Sequence, residues 1–399
     1  MRRFVLILLA LSTASGADWP QWRGPARDGQ APAAPAQWPA ELERAWSIEV
    51  GEGHSSPVAT GDSVYIFARE GGQEALRRVL LADGETIWKT AYPVDYTPTQ
   101  VAAAHGKGPK STPVVAGGVV CILGVTGVLS CHDTADGKLL WRKTFSRAFP
   151  NTYPQFGTAM SPIVYNGLLI AHVGGDGAGA LTAFDPRTGE EKWRWVEDGP
   201  GYSSPVIVRV AGRDQLVTQT EQHVLAVDPE NGKTLWSMPF TTPYKQNSVT
   251  PVVFDDLIVF GGTRTPSVAV RVTPDGPETV WESTDATLYM STPVRVGDRL
   301  CGFTEKRKGA LFCMDPSTGA VAWMSEGRLG ANALLMAAGE RLIAATTEGE
   351  LIVAPAAGDA YAPERIYDVA DSPVWAHPAL LGDRLLIKDK TKLTLWRIE

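Results

Sequence analysis

Apolar and polar positions alternate along residues 42–399 in short runs, each cut by Gly, Asp or Asn. Alternation sends every second side chain to one face of a sheet, so the runs predict strands joined by tight turns. Residues 113–145 show the unit well. Strands are predicted at 113–116, 119–124, 128–133 and 138–145, with turns at Gly117-Gly118, Thr126-Gly127 and Asp136-Gly137. No sustained helical period occurs outside the first twenty residues. The unit then repeats. Ser/Thr-Pro opens an apolar run at SSPVA (55–59), STPVV (111–115), SPIVY (161–165), SSPVI (203–207), TPVVF (250–254) and STPVR (291–295). The prolines at 57, 113, 162, 205, 251 and 293 step by 56, 49, 43, 46 and 42 residues. Pro378 of HPALL follows 85 residues later, which leaves room for one degenerate copy, NALLMAAGERLIAATTEGELIVAP. Eight copies of four short strands predict the blades of a β-propeller.

A second marker closes each unit. AFDPRTGEEKW (183–193), AVDPENGKTLW (226–236), CMDPSTGAVAW (313–323) and CHDTADGKLLW (131–141) place Asp eight residues and Gly four residues before a Trp. Asp bonds its own backbone in a tight turn, and Gly accepts the positive φ that the turn needs. The aromatic ring then falls at one place on the following strand, at Trp88, Trp141, Trp193, Trp236, Trp281 and Trp323, with Tyr367 in the slot of the degenerate copy. One unit cannot bury an indole by itself, so each must stack on a neighbour.

The ends of the chain predict how the ring closes. The last copy, 378–399, has room for three strands and stops at TLWRIE, while LERAWSIEV (42–50) matches an outer strand and carries Trp46. The expected fold is therefore all-β, a closed eight-bladed propeller of four-stranded antiparallel blades whose last blade is completed by residues 42–50. Closure removes the open edges that a sheet must otherwise protect.

With the A-x-D-x-x-T-G-x-x-x-W docking motif in place, the chain resembles the pyrroloquinoline-quinone-type (PQQ-like) β-propeller family over roughly residues 18–399. The opening DWPQWRGPARDG (18–29) is similar to the first segment of quinoprotein dehydrogenases and of exported bacterial propellers related to the lipoprotein of the outer-membrane β-barrel assembly machine. The resemblance implies two functions of different classes. One is a non-catalytic protein-binding or scaffold propeller of the cell envelope. The alternative is a dehydrogenase of alcohols or sugars in which PQQ and calcium sit over the central channel. Dehydrogenases of the family are longer, and many carry a vicinal Cys-Cys that this chain lacks. Their ligand set has no residue-by-residue match here, so no catalytic, cofactor-binding or metal residue is assigned, and the scaffold reading is preferred.

Composition sharpens the setting. Hydrophobic residues make up 44% and charged residues 20%, which suits one globular ring. Met1–Ala17 has Arg2 and Arg3, the apolar run FVLILLAL and small residues ending at Ser15-Gly16-Ala17, the pattern of a cleaved export signal. The expected division is a signal at 1–17, a Pro/Ala-rich arm at 18–41 and the propeller at 42–399. The expected location is the periplasm or the outside of the cell. No cysteine near the cut offers a lipid anchor, and no transmembrane segment is expected. Without Arg2 and Arg3, 35 basic side chains (37 less 2) face 44 acidic ones, a net charge of −9. Such a chain offers nucleic acid no electrostatic footprint. A monomer that meets an envelope or secreted protein partner is expected. Trp19 and Trp22 of the arm are expected to tuck against the side of the ring.

Cys121 and Cys131 flank one hairpin, Cys301 and Cys313 flank its counterpart four copies later. They are either cross-strand disulfides, which an oxidising compartment permits, or small core residues like Ala183 and Ala226 in the same slot. GKGPKST (106–112) is read as a blade start rather than a phosphate loop, GGDGAGA (174–180) as a hairpin tip, and GHSSP (53–57) as another blade start. Asp176, Glu221 and Glu305 are read as solvated turn residues, and the six histidines show no metal-ligand spacing. What remains is the mouth of the channel. His54, Lys110, Tyr202, Gln246, Asn247, Tyr289 and His377 each stand just ahead of an inner strand. The long connections 91–110 and 146–160 add His105, Lys107 and Tyr153. These ten residues are the candidate binding surface.

Overall fold

The computed structural model describes residues 18–398 apart from 33, 34 and 211; the expected export signal at 1–17 lies outside the described residues. Among the described residues, eight sheets of four antiparallel strands follow one another along the chain. Blades 1 to 7 each take four consecutive strands, and the predicted second unit appears as Val114–Ala116, Val119–Leu123, Leu129–Asp133 and Leu139–Lys143. Blade 8 joins Ala379–Leu381, Arg384–Lys388 and Lys392–Arg397 to Glu43–Glu49. In that seam Glu43 lies opposite Arg397 and Glu49 opposite Lys392, so the predicted closure by the N-terminal strand holds.

The docking motif works between blades. In blade 3 the Asp185 carboxylate accepts the amides of Arg187 and Thr188, and the Gly189 amide donates to the Asp185 carbonyl. That turn holds Gly189 at φ 72°. Trp141 of blade 2 lies on this glycine, and its Nε1 donates to Pro186 O at 2.8 Å. The same pairing joins Trp46 to Gly84, Trp88 to Gly137, Trp193 to Gly232 and Trp281 to Gly319. Three exceptions have physical causes. Among the described residues no glycine of blade 7 meets Trp323, whose Nε1 donates to Ala356 O at 3.0 Å while its ring packs 5.6 Å from Tyr361. Blade 5 carries Thr273 and Pro277 where the motif has Asp and Gly, so Trp236 turns its Nε1 to Gln215 within its own blade. Tyr367 of blade 7 faces the seam, where no continuous turn exists. Its hydroxyl donates instead to Pro39 O of the arm at 2.5 Å, beside Trp38.

The alternatives for the cysteines resolve as two cross-strand pairs. Cys121 stands opposite Cys131 and Cys301 opposite Cys313, and the structure bonds both. The sequence separations are 10 and 12, so each bridge contributes about 2–3 kcal/mol by constraining the unfolded chain. Replacing Cys121 and Cys131 together by alanine is expected to lower urea stability by that amount, with the dependence on urea concentration little changed. A pair of melts with and without reductant on the parent protein checks the combined contribution.

Candidate functional site

Six inner strands begin at a Ser/Thr-Pro pair and the last at His377-Pro378, and these positions form a belt around the channel. The amide of His377 donates to Ser56 Oγ, that of Ser56 to Thr112 Oγ1 and that of Thr112 to Ser161 Oγ. The series continues from Ser161 to Ser204, from Ser204 to Thr250 and from Thr250 to Thr292, with all six distances between 2.8 and 3.2 Å. Ser291 Oγ donates to Ala333 O, and His377 Nε2 lies 2.9 Å from Leu335 O, which carries the belt past blade 7. Proline has no N–H to offer, so the preceding residue takes on the inter-blade bond. The repeat marker is thus a structural device.

The arm does not lie against the side of the ring as expected. It crosses the channel. Trp19 exchanges backbone hydrogen bonds with Ala59 of blade 1, Pro20 accepts from Val115 of blade 2, and Gly29 and Ala31 pair with Ala337 of blade 7. Gly24 at φ 85° packs on the Trp19 ring, and Gly29 at φ 76° leaves room for the Arg23 guanidinium. A side chain at either position would push the arm out of the channel. Arg23 donates to Thr292 O and Pro293 O, both at 2.8 Å. Arg27 donates to Ser161 O and Pro162 O, both at 2.9 Å. Burial lowers Arg23 to about 10, against the pull of Asp28, and Arg27 to about 9, so both stay charged at neutral pH. Trp22 sits between them, with each guanidinium 5.6 Å from its ring centre. An Arg fork satisfies two carbonyls at once, which explains why arginine rather than lysine spans the belt.

Above this plug the channel holds a cavity of ≈ 180 Å³. Trp22 and Arg23 make its floor, Ser56, Thr112, Ser204 and Thr292 its polar wall, and Met290, Leu334 and Leu335 its apolar wall. The rim is a run of rings. His54 lies 5.9 Å from Trp375, Trp375 5.6 Å from His105, His105 6.0 Å from Phe156, and Phe156 5.9 Å from Tyr202. Of the predicted surface, His54, His105, Lys110, Tyr202, Gln246 and His377 line this cavity. The others do not. Asn247 is buried, and its amide holds Thr220 O and Phe240 O while its Oδ1 accepts from Thr242. Tyr153 packs edge-on against Tyr96, Lys107 is exposed, and Tyr289 stands outside the cavity. Sequence reasoning missed Trp375, although VWAHP sets it directly ahead of the last inner strand. It also missed the floor, because nothing local in an arm reports what it crosses.

Apart from the Tyr202 phenol, every ionisable side chain lining the cavity is a base: Arg23, His54, His105, Lys110 and His377. Burial, helped by Lys110, lowers His54 to about 3, and burial lowers His377 to about 4. Burial also lowers Lys110 to about 8, although Glu74 opposes it. Glu74 lies outside the cavity, fully buried, bonded by the Tyr92 hydroxyl and the Val125 amide. Among the described residues Lys110 Nζ and Asn332 Oδ1 are buried without a hydrogen-bond partner. Glu221 corrects the expectation of a solvated carboxylate: it is buried, paired with Lys245, and accepts the Gly177 amide at 2.7 Å. Asp176 beside it is partly buried, and its carboxyl is raised by burial and by Glu221. No cluster of three or more metal-ligating side chains occurs among the described residues.

PQQ bound with calcium needs several oxygen ligands, carboxylates above all. A cavity whose charged lining is wholly basic offers that calcium no carboxylate ligand. Fold and channel therefore define an eight-bladed PQQ-like propeller with a basic, plugged channel. The family model of the outer membrane protein assembly factor BamB matches residues 73–325, and the chain belongs to that family. It is 27% identical to outer membrane protein assembly factor BamB of Burkholderia pseudomallei over 288 residues, 71% of this chain and 59% of that protein. The protein of the same name from Moranella endobia is 26% identical over 259 residues, 64% of this chain and 61% of that protein. The matched region thus spans about three fifths of each relative's length. BamB from Moraxella catarrhalis superposes with a TM-score of 0.66 at 14% identity, covering 89% of this chain and 99% of that one. Quinohemoprotein alcohol dehydrogenase ADHIIG from Pseudomonas putida HK5 superposes at 0.56 and 14% identity, covering 96% and 80%. At such identities these two likenesses speak for the fold alone.

Proposed function

We propose that this chain is an exported, non-catalytic propeller that binds protein partners in the cell envelope, in the periplasm or outside the cell. The donor set of the channel carries the reading. A plugged cavity with no carboxylate in its lining leaves calcium without its ligands, and it sits in a chain whose family is named for outer membrane protein assembly. The face where outer strands hand over to inner strands supports it further. Val101, Val196 and Tyr244 all lie in those connections, and all are exposed large apolar side chains. Tyr244 is 69% exposed at the tip of a tight turn held at φ 60°, which suits a contact residue.

A photo-crosslinking residue placed at 101, 196 or 244 in cells is expected to trap an envelope protein. A crosslinker on the exposed outer strand at Leu139 serves as the negative control. Purified protein given PQQ and calcium is expected to show no quinone band after desalting and no reduction of a dye acceptor. A retained quinone band together with dye reduction by alcohols or sugars overturns the reading in favour of a dehydrogenase. Equal trapping from all four positions, or none, overturns the proposed docking face.

A further inference from the structure

The channel cavity holds a polar arrangement that neither the repeat architecture nor protein docking uses. Ser56, Thr112, Ser204 and Thr292 each accept a backbone N–H through the side-chain oxygen, and among the described residues none of the four donates. Four hydroxyl protons are therefore free at the wall of one cavity. Lys110 lines the same cavity, and its ammonium is buried without a hydrogen-bond partner, with the face of Tyr96 5.5 Å away and Glu74 as the opposing charge. An unpartnered buried ammonium is costly, and in a native fold it calls for a missing partner. Carboxylates are absent from the lining, while the floor carries the positive charge of Arg23. The free hydroxyl protons and the charges of the lining favour an anion.

Size and shape narrow the anion. The cavity, ≈ 180 Å³, is comparable with the ~150 Å³ cavity known to hold one benzene. The rim rings and Trp22 offer edges and faces for a flat apolar body. The arm seals the far end, so a ligand enters only between the rim rings and rests on Trp22. A bare inorganic ion would leave those rings unused.

We propose that the plugged channel is a binding site for a small aromatic monocarboxylate, its carboxylate held by Lys110 and the belt hydroxyls and its ring by Trp22, Phe156 and Trp375. The site goes beyond protein docking and does not depend on it. It involves no bond-making step.

Benzoate, titrated into the purified protein at pH 7 by calorimetry and tryptophan fluorescence, tests the site. Benzyl alcohol is the neutral match and inorganic phosphate the bare anion. Saturable binding of benzoate at one site is expected, with benzyl alcohol and phosphate each about tenfold weaker or worse, the value of one charge-assisted hydrogen bond or of the ring. Lys110→Met is expected to weaken benzoate about tenfold while the Leu139→Ala variant, altered on an exposed outer strand, binds as the parent does. Ser248→Phe fills the cavity from a wall position outside the hydroxyl belt and is expected to abolish binding, so the test stands even where the lysine variant fails to fold. No benzoate binding at millimolar concentration, equal binding of benzyl alcohol or phosphate, or full affinity in a folded Lys110→Met or Ser248→Phe protein each overturns the proposal.

Discussion

Gly232→Val is expected to destabilise the ring by about 3–5 kcal/mol, the sum of a left-handed backbone penalty and overpacking. Gly232 sits at φ 73°, and a Cβ there would stand 2.4 Å from Trp193 Cε3 and 2.8 Å from Cδ2. The indole cannot retreat, because its Nε1 is bonded to Pro229 O and the ring lies between two sheets. Gly382→Ala provides the comparison. Its φ is 71°, yet nothing lies within 4 Å of the added carbon, so only the backbone penalty of about 1 kcal/mol is expected. Urea melts of both variants beside the parent measure the difference, which belongs to the indole contact. Equal losses in the two would mean that the tryptophans do not bear on their glycines.

Acid is expected to produce the second large effect. Burial lowers His172 and His377 to about 4 and His54 to about 3 from 6.5, so all three are neutral in the fold and become charged first in the unfolded chain. Their stabilisation is complete above about pH 6.5 and drains away as pH falls toward about 4 and, for His54, about 3. The shifts of His172 and His377 correspond to about 3 kcal/mol each and that of His54 to more. Glu74 and Asp176 are shifted upward and work in the opposite sense at lower pH. Urea melts at pH 7.5 and pH 4.5 should therefore differ by several kcal/mol. His172→Gln keeps a donor for the Asp198 carbonyl, which His172 Nε2 meets at 3.1 Å, and should remove about a third of the difference. A profile unchanged by that substitution would place the acid sensitivity elsewhere.

Much of the ring was legible because its signals are local. An Asp–Gly turn and a Trp strand lie within eleven residues, and the turn's chemistry is the same in the four best copies. The seam was legible for the same reason: LERAWSIEV looks like an outer strand wherever it occurs. Inter-blade partners were less so. Trp236 could not be known to turn to Gln215 until blade 5 was seen to lack the receiving turn. At the channel mouth, position ahead of an inner strand located five of seven candidates on the cavity and the long connections one of three, but position could not tell His54, which faces the cavity, from Asn247, which is spent on backbone carbonyls.

The amino-acid sequence alone determined the number of blades, the strand order within them, the closing strand and the turns that carry the indoles, since each depends on residues a few positions apart. Tertiary structure decided where the arm goes, which cysteines meet, and what chemistry the channel presents. Arg23 and Arg27 are ordinary arginines in a Pro-rich segment until distant blades offer them the carbonyls of Thr292, Pro293, Ser161 and Pro162. Contacts across 135 and 269 residues are set by ring closure, and local propensity carries no trace of them.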